Sequence, residues 1–255
     1  MIKSKIQHHI DDFTEKHYRD LLLLALKKYH FASYENIPFG ERFVLWRHDC
    51  DFSLNRALKL AQIEAEEGVA ATYFIHPHSE FYNPFEKGQS KIIHEILELG
   101  HTIGLHFDAQ YHELENDETL GKIIRFEASI LRYYFGREPH AFSFHNPNDT
   151  SLSFEEEKYG GLVNCYSRRI KKEIPYCSDS NGYWRYRRLY EVLSAGEDNC
   201  LQVLTHPAWW QEMPMLPMER IARCISGRSE EIEKNYTENL SKMGRKNIGA
   251  KDKIP

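Results

Sequence analysis

The chain has 255 residues, 41% of them hydrophobic and 28% charged, with a formal net charge of −5. That length suits one α/β domain with a sizeable core, and the weakly acidic balance argues against a nucleic-acid binder, which carries a basic face. No stretch approaches the about 20 apolar residues of a membrane-spanning helix. The longest apolar run, Leu21–Leu26, lies in a charged amphipathic segment. The opening MIKSKIQHHIDDFTEKH has no apolar signal core, so a cytoplasmic location is expected. The five cysteines, Cys50, Cys165, Cys177, Cys200 and Cys224, are dispersed without CxxC pairs, as suits reduced thiols used as small hydrophobes.

In chain order, residues 13–30 read as a helix, with Tyr18, Leu22, Leu26 and Tyr29 at helical spacing. The run Phe43–Trp46 reads as a buried strand and leads into Arg47-His48-Asp49-Cys50-Asp51. Ser53 caps the next helix and Gly68 ends it. Val69–Ile75 is β-branched, aromatic and almost continuously apolar, the character of a strand covered on both faces. The alternation goes on with a helix capped by Ser90 and closed by Gly100, then a strand Thr102–Leu105 ending at His106. A helix follows from Asp117 to about Phe135, stopped by Gly136, and then a strand Ala141–Phe144 ending at His145. Gly161–Cys165 reads as a further strand, Leu201–Thr205 as one ending at His206, and a last helix starts near Met218. Residues 1–227 form the expected single domain, with 228–255 a polar helix or tail.

Repeated strand–helix–strand units imply a parallel sheet, with ligand sites at the carboxyl ends of its strands. The chemistry-bearing residues stand at those ends. Asp49 and Asp51, two apart, point the same way from an extended chain. Close carboxylates repel unless a metal or proton separates them, so one can bind metal while the other serves as base. The plainer alternative is a capping Asp beside a surface Asp. His106, Asp108 and His112 together offer an open three-ligand set for Zn²⁺ or a similar ion. His206, followed by Pro207, Ala208, Trp209 and Trp210, suits a general acid beside an apolar wall, or a structural His bonded to backbone. Ser178–Gly182 reads as a turn.

The order RHDCD (47–51), GVAATYFI (68–75), ELGHTIGLHFD (98–108), FGREPHAFSFHNP (135–147) and LTHPAWW (204–210) resembles the polysaccharide deacetylase family (NodB homology, carbohydrate esterase 4), over about residues 40–215. The resemblance implies a distorted (β/α) barrel and one divalent ion, Zn²⁺ or alternatively Co²⁺, Ni²⁺ or Mn²⁺. It implies Asp49 as general base, Asp51 and His106 as metal ligands, His206 as general acid, and a metal-activated water as nucleophile. The family's second metal His usually stands four residues after the first, where this chain has Gln110. His112, two residues further on, then replaces it, or Asp108 helps. The family's groove-wall Arg is also missing near His145, and Asp179 with Arg185 are candidates for its acid–Arg pair. His145, Asp179, Trp184, Arg185 and Trp209 are the expected substrate contacts, the Trp side chains stacking on a sugar ring. The implied activity is removal of an acyl group, acetyl above all, from an N-acylated sugar or sugar conjugate. A deformylase, a cyclic-amide hydrolase or a non-catalytic carbohydrate-binding relative are the alternatives.

Overall fold

A computed structural model describes residues 8–112, 114 and 116–249. Nine strands form one sheet: β1 His30–Ala32, β2 Phe43–Cys50, β3 Thr72–Ile75, β4 Thr102–Phe107, β5 Ala141–Phe144, β6 Lys158–Tyr159, β7 Leu162–Asn164, β8 Tyr176–Ser178 and β9 Cys200–Thr205. The order is β6-β7-β5-β4-β3-β2-β9-β8, with β1 paired to the first half of β2. Every pairing is parallel except β6 with β7. The helices are α1 Glu15–Leu26, α2 Leu54–Glu66, α3 Lys87–Glu98, α4 Asp117–Phe135, α5 Asp149–Ser153, α6 Arg168–Glu173, α7 Leu189–Ala195 and α8 Pro217–Lys242.

The two-residue period of the strands divides the interior. On β2, Val44, Trp46 and Cys50 point outward into the large core under the helices, whereas Phe43 and Leu45 point inward. The inward set joins Tyr34, Phe74, Ala141, Cys165, Ile170 and Ile174 in a smaller second core, so β2, β3, β5 and α6 close around one axis. This is the curled, incomplete (β/α) barrel expected. Gly104 on β4 makes room inside it. A Cβ there would lie 2.5 Å from the Phe74 ring and 3.1 Å from the Ala141 carbonyl. Phe74 thereby plugs the barrel beneath the strand ends.

Several boundaries differ from the sequence reading for local reasons. The strand expected from Val69 begins at Thr72, because Val69 N–H is spent on the Glu64 carbonyl at the exit of α2. Glu86 rather than Ser90 precedes the first residue of α3, and Ser90 N–H already donates to Glu86 O. Ser178 is not in a turn but ends β8, paired to Leu204, and a 3₁₀ turn follows over Ser180–Gly182. Helix α8 runs unbroken across the boundary expected at 227/228. Among the described residues no helix is long and apolar enough to cross a membrane.

Candidate metal centre and active site

Continuing the inward alternation along each strand gives the site. Asp49 and Asp51 follow Leu45 and Arg47 on β2, His76 follows Phe74, His106 follows Gly104, His145 follows Ser143, and His206 follows β9. These six side chains share the carboxyl rim of the barrel, and Asp49, Asp51, His76 and His106 are all buried.

At the centre, Asp51 Oδ1 lies 2.9 Å from His106 Nε2 and 3.5 Å from His145 Nδ1, and the two nitrogens are 3.2 Å apart. Tetrahedral ligands with bonds of about 2.0–2.2 Å are spaced roughly 3.3–3.6 Å apart, so this triangle needs only slight expansion to hold an ion. The ring orientation suits one. His106 Nδ1 donates to the Ser143 carbonyl at 3.2 Å, which turns Nε2 toward Asp51 as the nitrogen available to an ion. Although burial opposes ionisation, the neighbouring His106, His145 and His206 hold the Asp51 carboxyl well below its ordinary range. His145 is followed by Asn146 at φ 41°, a left-handed conformation uncommon outside Gly, and local strain of this kind gathers at functional sites.

Asp49 lies beside this triangle. Its Oδ2 accepts from Ser143 Oγ at 2.9 Å and is 3.5 Å from Arg47 Nη2, while its buried Oδ1 has no hydrogen-bond partner among the described residues. Arg47 is fully buried inside the barrel, donates to Tyr166 OH at 3.1 Å and lies over the Phe74 and Tyr166 rings. It is the cation next to Asp49, a place the sequence reading gave to Arg185. Arg185 is instead exposed and packs over Tyr186.

His206 stands across from Asp51, its Nε2 3.7 Å from Asp51 Oδ2. Behind it, Asp179 accepts from His206 Nδ1 at 2.6 Å, from its backbone N–H at 3.0 Å, and from Trp210 Nε1 at 3.0 Å. Burial opposes protonation of His206, but the Asp179 charge and hydrogen bond outweigh it and raise the imidazole to about 9. His76 goes the other way. Burial, reinforced by His106 and His145, pulls it down to about 3, so it is a neutral imidazole 3.7 Å from Asp108 Oδ2.

The remaining expected residues are placed elsewhere. His112 does not reach Asp51 or His106; it lies 2.7 Å from Glu127 with His78. Its place in the triangle is taken by His145. Trp184 is buried, stacks on Phe13 and donates to Asp12, so it presents no face to a ligand. Trp209 is almost buried against Phe52, with its ring 6.4 Å from His206. A cleft of about 470 Å³ opens over the centre, walled by Phe52, Phe81 and Tyr111 and edged by His76, His78, Glu80, Asp108, Gln110 and Asn146. His76 was missed by the sequence reading although it follows VAATYFI as His106 follows its own strand. Arg47 was missed as well, although a charged residue inside an apolar strand marks it.

No family model matches this chain, and no curated protein matches it. Among solved structures, it is similar to a CE4 family pseudoenzyme from Bacillus anthracis at 11% identity and TM-score 0.44, over 75% of this chain and 62% of that one. It thus spans less than two thirds of that pseudoenzyme. It is similar to the peptidoglycan deacetylase PdaC of Bacillus subtilis at 13% identity and TM-score 0.43, over 81% and 99%. A family 4 acetyl xylan esterase from Clostridium thermocellum, solved with a cobalt ion, is similar at 17% identity and TM-score 0.40, over 79% and 92%. These are likenesses of fold, and the roles of individual residues rest on the geometry.

Proposed function

We propose that this chain is a divalent-metal-dependent hydrolase that removes an acyl group from an N-acylated sugar or sugar conjugate. The observation that carries the proposal is the flanking of one ligand triangle, Asp51, His106 and His145, by a carboxylate with one oxygen unpartnered among the described residues on one side and a raised imidazole on the other. The donor set of two imidazole nitrogens and one carboxylate fits Zn²⁺ or a similar ion, with a position left open, and binding would displace the proton that Asp51, against burial, helps His145 to hold. Such an ion would supply Lewis-acid polarisation of an acyl carbonyl and a lowered pKa for water.

The chain's own groups complete the chemistry. Asp49 Oδ1 takes up a proton, while Ser143 Oγ and Arg47 hold the other oxygen and fix the carboxylate plane. His206, protonated at neutral pH, holds a proton on Nε2 on the Asp51 side of the triangle and gives it to the leaving amine. Asp179 keeps the ring oriented and charged. Phe52, Phe81 and Tyr111 offer flat apolar faces to a sugar ring, in a cleft within the usual size range of small-molecule sites.

The test is elemental analysis of the wild type beside Asp51→Asn and His106→Ala, followed by a panel of N-acetyl, N-formyl and cyclic amides. One ion fewer than wild type in both variants, together with turnover of N-acetyl sugars, supports the proposal. Turnover confined to formyl or cyclic amides changes the substrate class. Stoichiometric metal without turnover on any member moves the reading to a carbohydrate-binding relative.

A further inference from the structure

His78, His112 and Glu127 form a second convergence of ligand atoms that shares no residue with the first. His78 lies after β3, His112 after β4, and Glu127 on the buried face of α4. His78 Nε2 is 2.6 Å and His112 Nε2 2.7 Å from the same oxygen, Glu127 Oε1. Glu127 is 3% exposed, and its other oxygen is buried with no hydrogen-bond partner among the described residues.

A carboxylate held only by hydrogen bonds gains most when donors are spread over both oxygens, since a buried unsatisfied oxygen is costly. Here both donors crowd one oxygen and leave the other bare. Three potential ligands aimed at one point, beside a spare carboxylate oxygen, are what a divalent ion uses. The rings are also held in orientation. His78 stacks on Tyr111 with centroids 3.7 Å apart, His112 stacks on Phe107 at 7°, and the two imidazoles stand at 83° to each other. Stacking of this kind limits the rotation of both imidazoles and keeps their Nε2 atoms on Glu127.

We propose that His78, His112 and Glu127 bind a second divalent cation, Zn²⁺ or a similar borderline ion, at the rim of the cleft. The ion ties the loops after β3 and β4 to α4 and so sets the wall that His78 and Tyr111 give to the cleft. The site stands whether or not the central triangle binds metal.

The experiment is Zn²⁺ stoichiometry of the full chain by elemental analysis after removal of loosely held ion, in wild type, His78→Ala, His112→Ala, Glu127→Gln and Asp51→Asn. Circular dichroism checks that each variant is folded. Co²⁺ substitution gives a second readout through its visible absorption. The expected result is about two ions in wild type and about one in each variant. The rim cobalt band should be lost in His112→Ala and kept in Asp51→Asn. A single ion in wild type that survives His78→Ala and His112→Ala overturns the rim site. A single ion lost in those two variants and kept in Asp51→Asn supports the rim site and overturns the central one. The two His variants change partly exposed loop residues, so the test holds even if Glu127→Gln fails to fold.

Discussion

Asp179 is buried directly behind His206 and grips both its ring and its backbone, with Oδ1 2.6 Å from Nδ1. One carboxylate thus fixes the imidazole's direction, its tautomer and its charge. The His206 pKa is raised to about 9 from an ordinary 6.5, so the stabilising contribution of the pair is fully present below about 6.5 and lost as pH rises toward 9. In Asp179→Asn the imidazole titration, followed by NMR on metal-free protein, should move down toward the ordinary value. The alkaline loss of stability should flatten with it. An unmoved titration would show that Asp179 does not set the charge of His206. The same variant leaves Trp210 Nε1 and the His206 amide with a weaker acceptor, at a cost of about 1–3 kcal/mol in unfolding free energy.

The plug beneath the site gives a prediction about folding. A methyl group at Gly104 would lie 2.5 Å from Phe74, which is enclosed by β2, β5 and Tyr34 and cannot swing away. Gly104→Ala should therefore destabilise the chain by about 1–3 kcal/mol, the usual penalty for overpacking a core. Urea unfolding measures it. Because Arg47 lies over the Phe74 ring, displacement of Phe74 is transmitted to the cation beside Asp49.

How much of this was legible in the sequence follows from periodicity. Asp49, His106, His145 and His206 could be placed because buried parallel strands write themselves as apolar runs, and the residue at the end of a run must face the rim. The ends of α4, Asp117 and Phe135, were readable because Asn116 caps the first turn and Gly136 at φ 66° stops the last. His112 could not be placed, since a loop residue has no period and six residues from His106 can reach many points. Trp184 and Arg185 failed for a related reason. Their segment is irregular, and only the tertiary contact with Asp12 and Phe13 decides that Trp184 is core. The short strands β1, β6 and β8 owe their existence to pairing partners rather than to their own two or three residues.

A buried polar layer on the outer face of β2 predicts acid lability. Glu64 accepts from His48 at 2.6 Å and Tyr73 OH at 2.5 Å, and also from Tyr18 OH. His101 lies beside it, accepting from Ala71 N–H on Nδ1 and donating to the Ala61 carbonyl from Nε2. Both bonds together require the neutral ring, and burial lowers the His101 pKa against the pull of Glu64. The unfolded chain takes up this proton near 6.5, so stability is lost as pH falls below that value. Glu64 is also lowered, by His48 against burial, and its contribution is lost in turn below about 4.5. The urea midpoint should thus fall between pH 7 and 5. His101→Gln, which cannot titrate, should be less stable at pH 7 with a shallower slope across that range. An equal slope in the variant would place the lability elsewhere.

The sharpest division of labour is expected between Asp49 and Asp51, two residues apart across the end of β2. Asp51 lies within 3.5 Å of both His106 and His145 and takes part in the ligand triangle. Asp49 is outside it, 3.8 Å from the His106 nitrogen that already donates to Ser143, and keeps Oδ1 without a partner among the described residues. Asp51→Asn should therefore lose the central ion. Asp49→Asn should retain it, because none of the triangle's three donors changes. The same change removes the carboxylate oxygen left free beside the triangle, and turnover should fall about 10²–10⁴-fold, the usual loss for a positioned acid or base. The side-chain amide introduced by Asp49→Asn can still accept from Ser143 Oγ, but the change also removes the charge beside the fully buried Arg47, a loss of about 3–5 kcal/mol in a buried pair, so circular dichroism must show the variant folded. Metal content and kcat measured on the same samples decide the matter. Loss of metal in Asp49→Asn would make Asp49 a ligand rather than a base, and undiminished turnover would remove it from the chemistry.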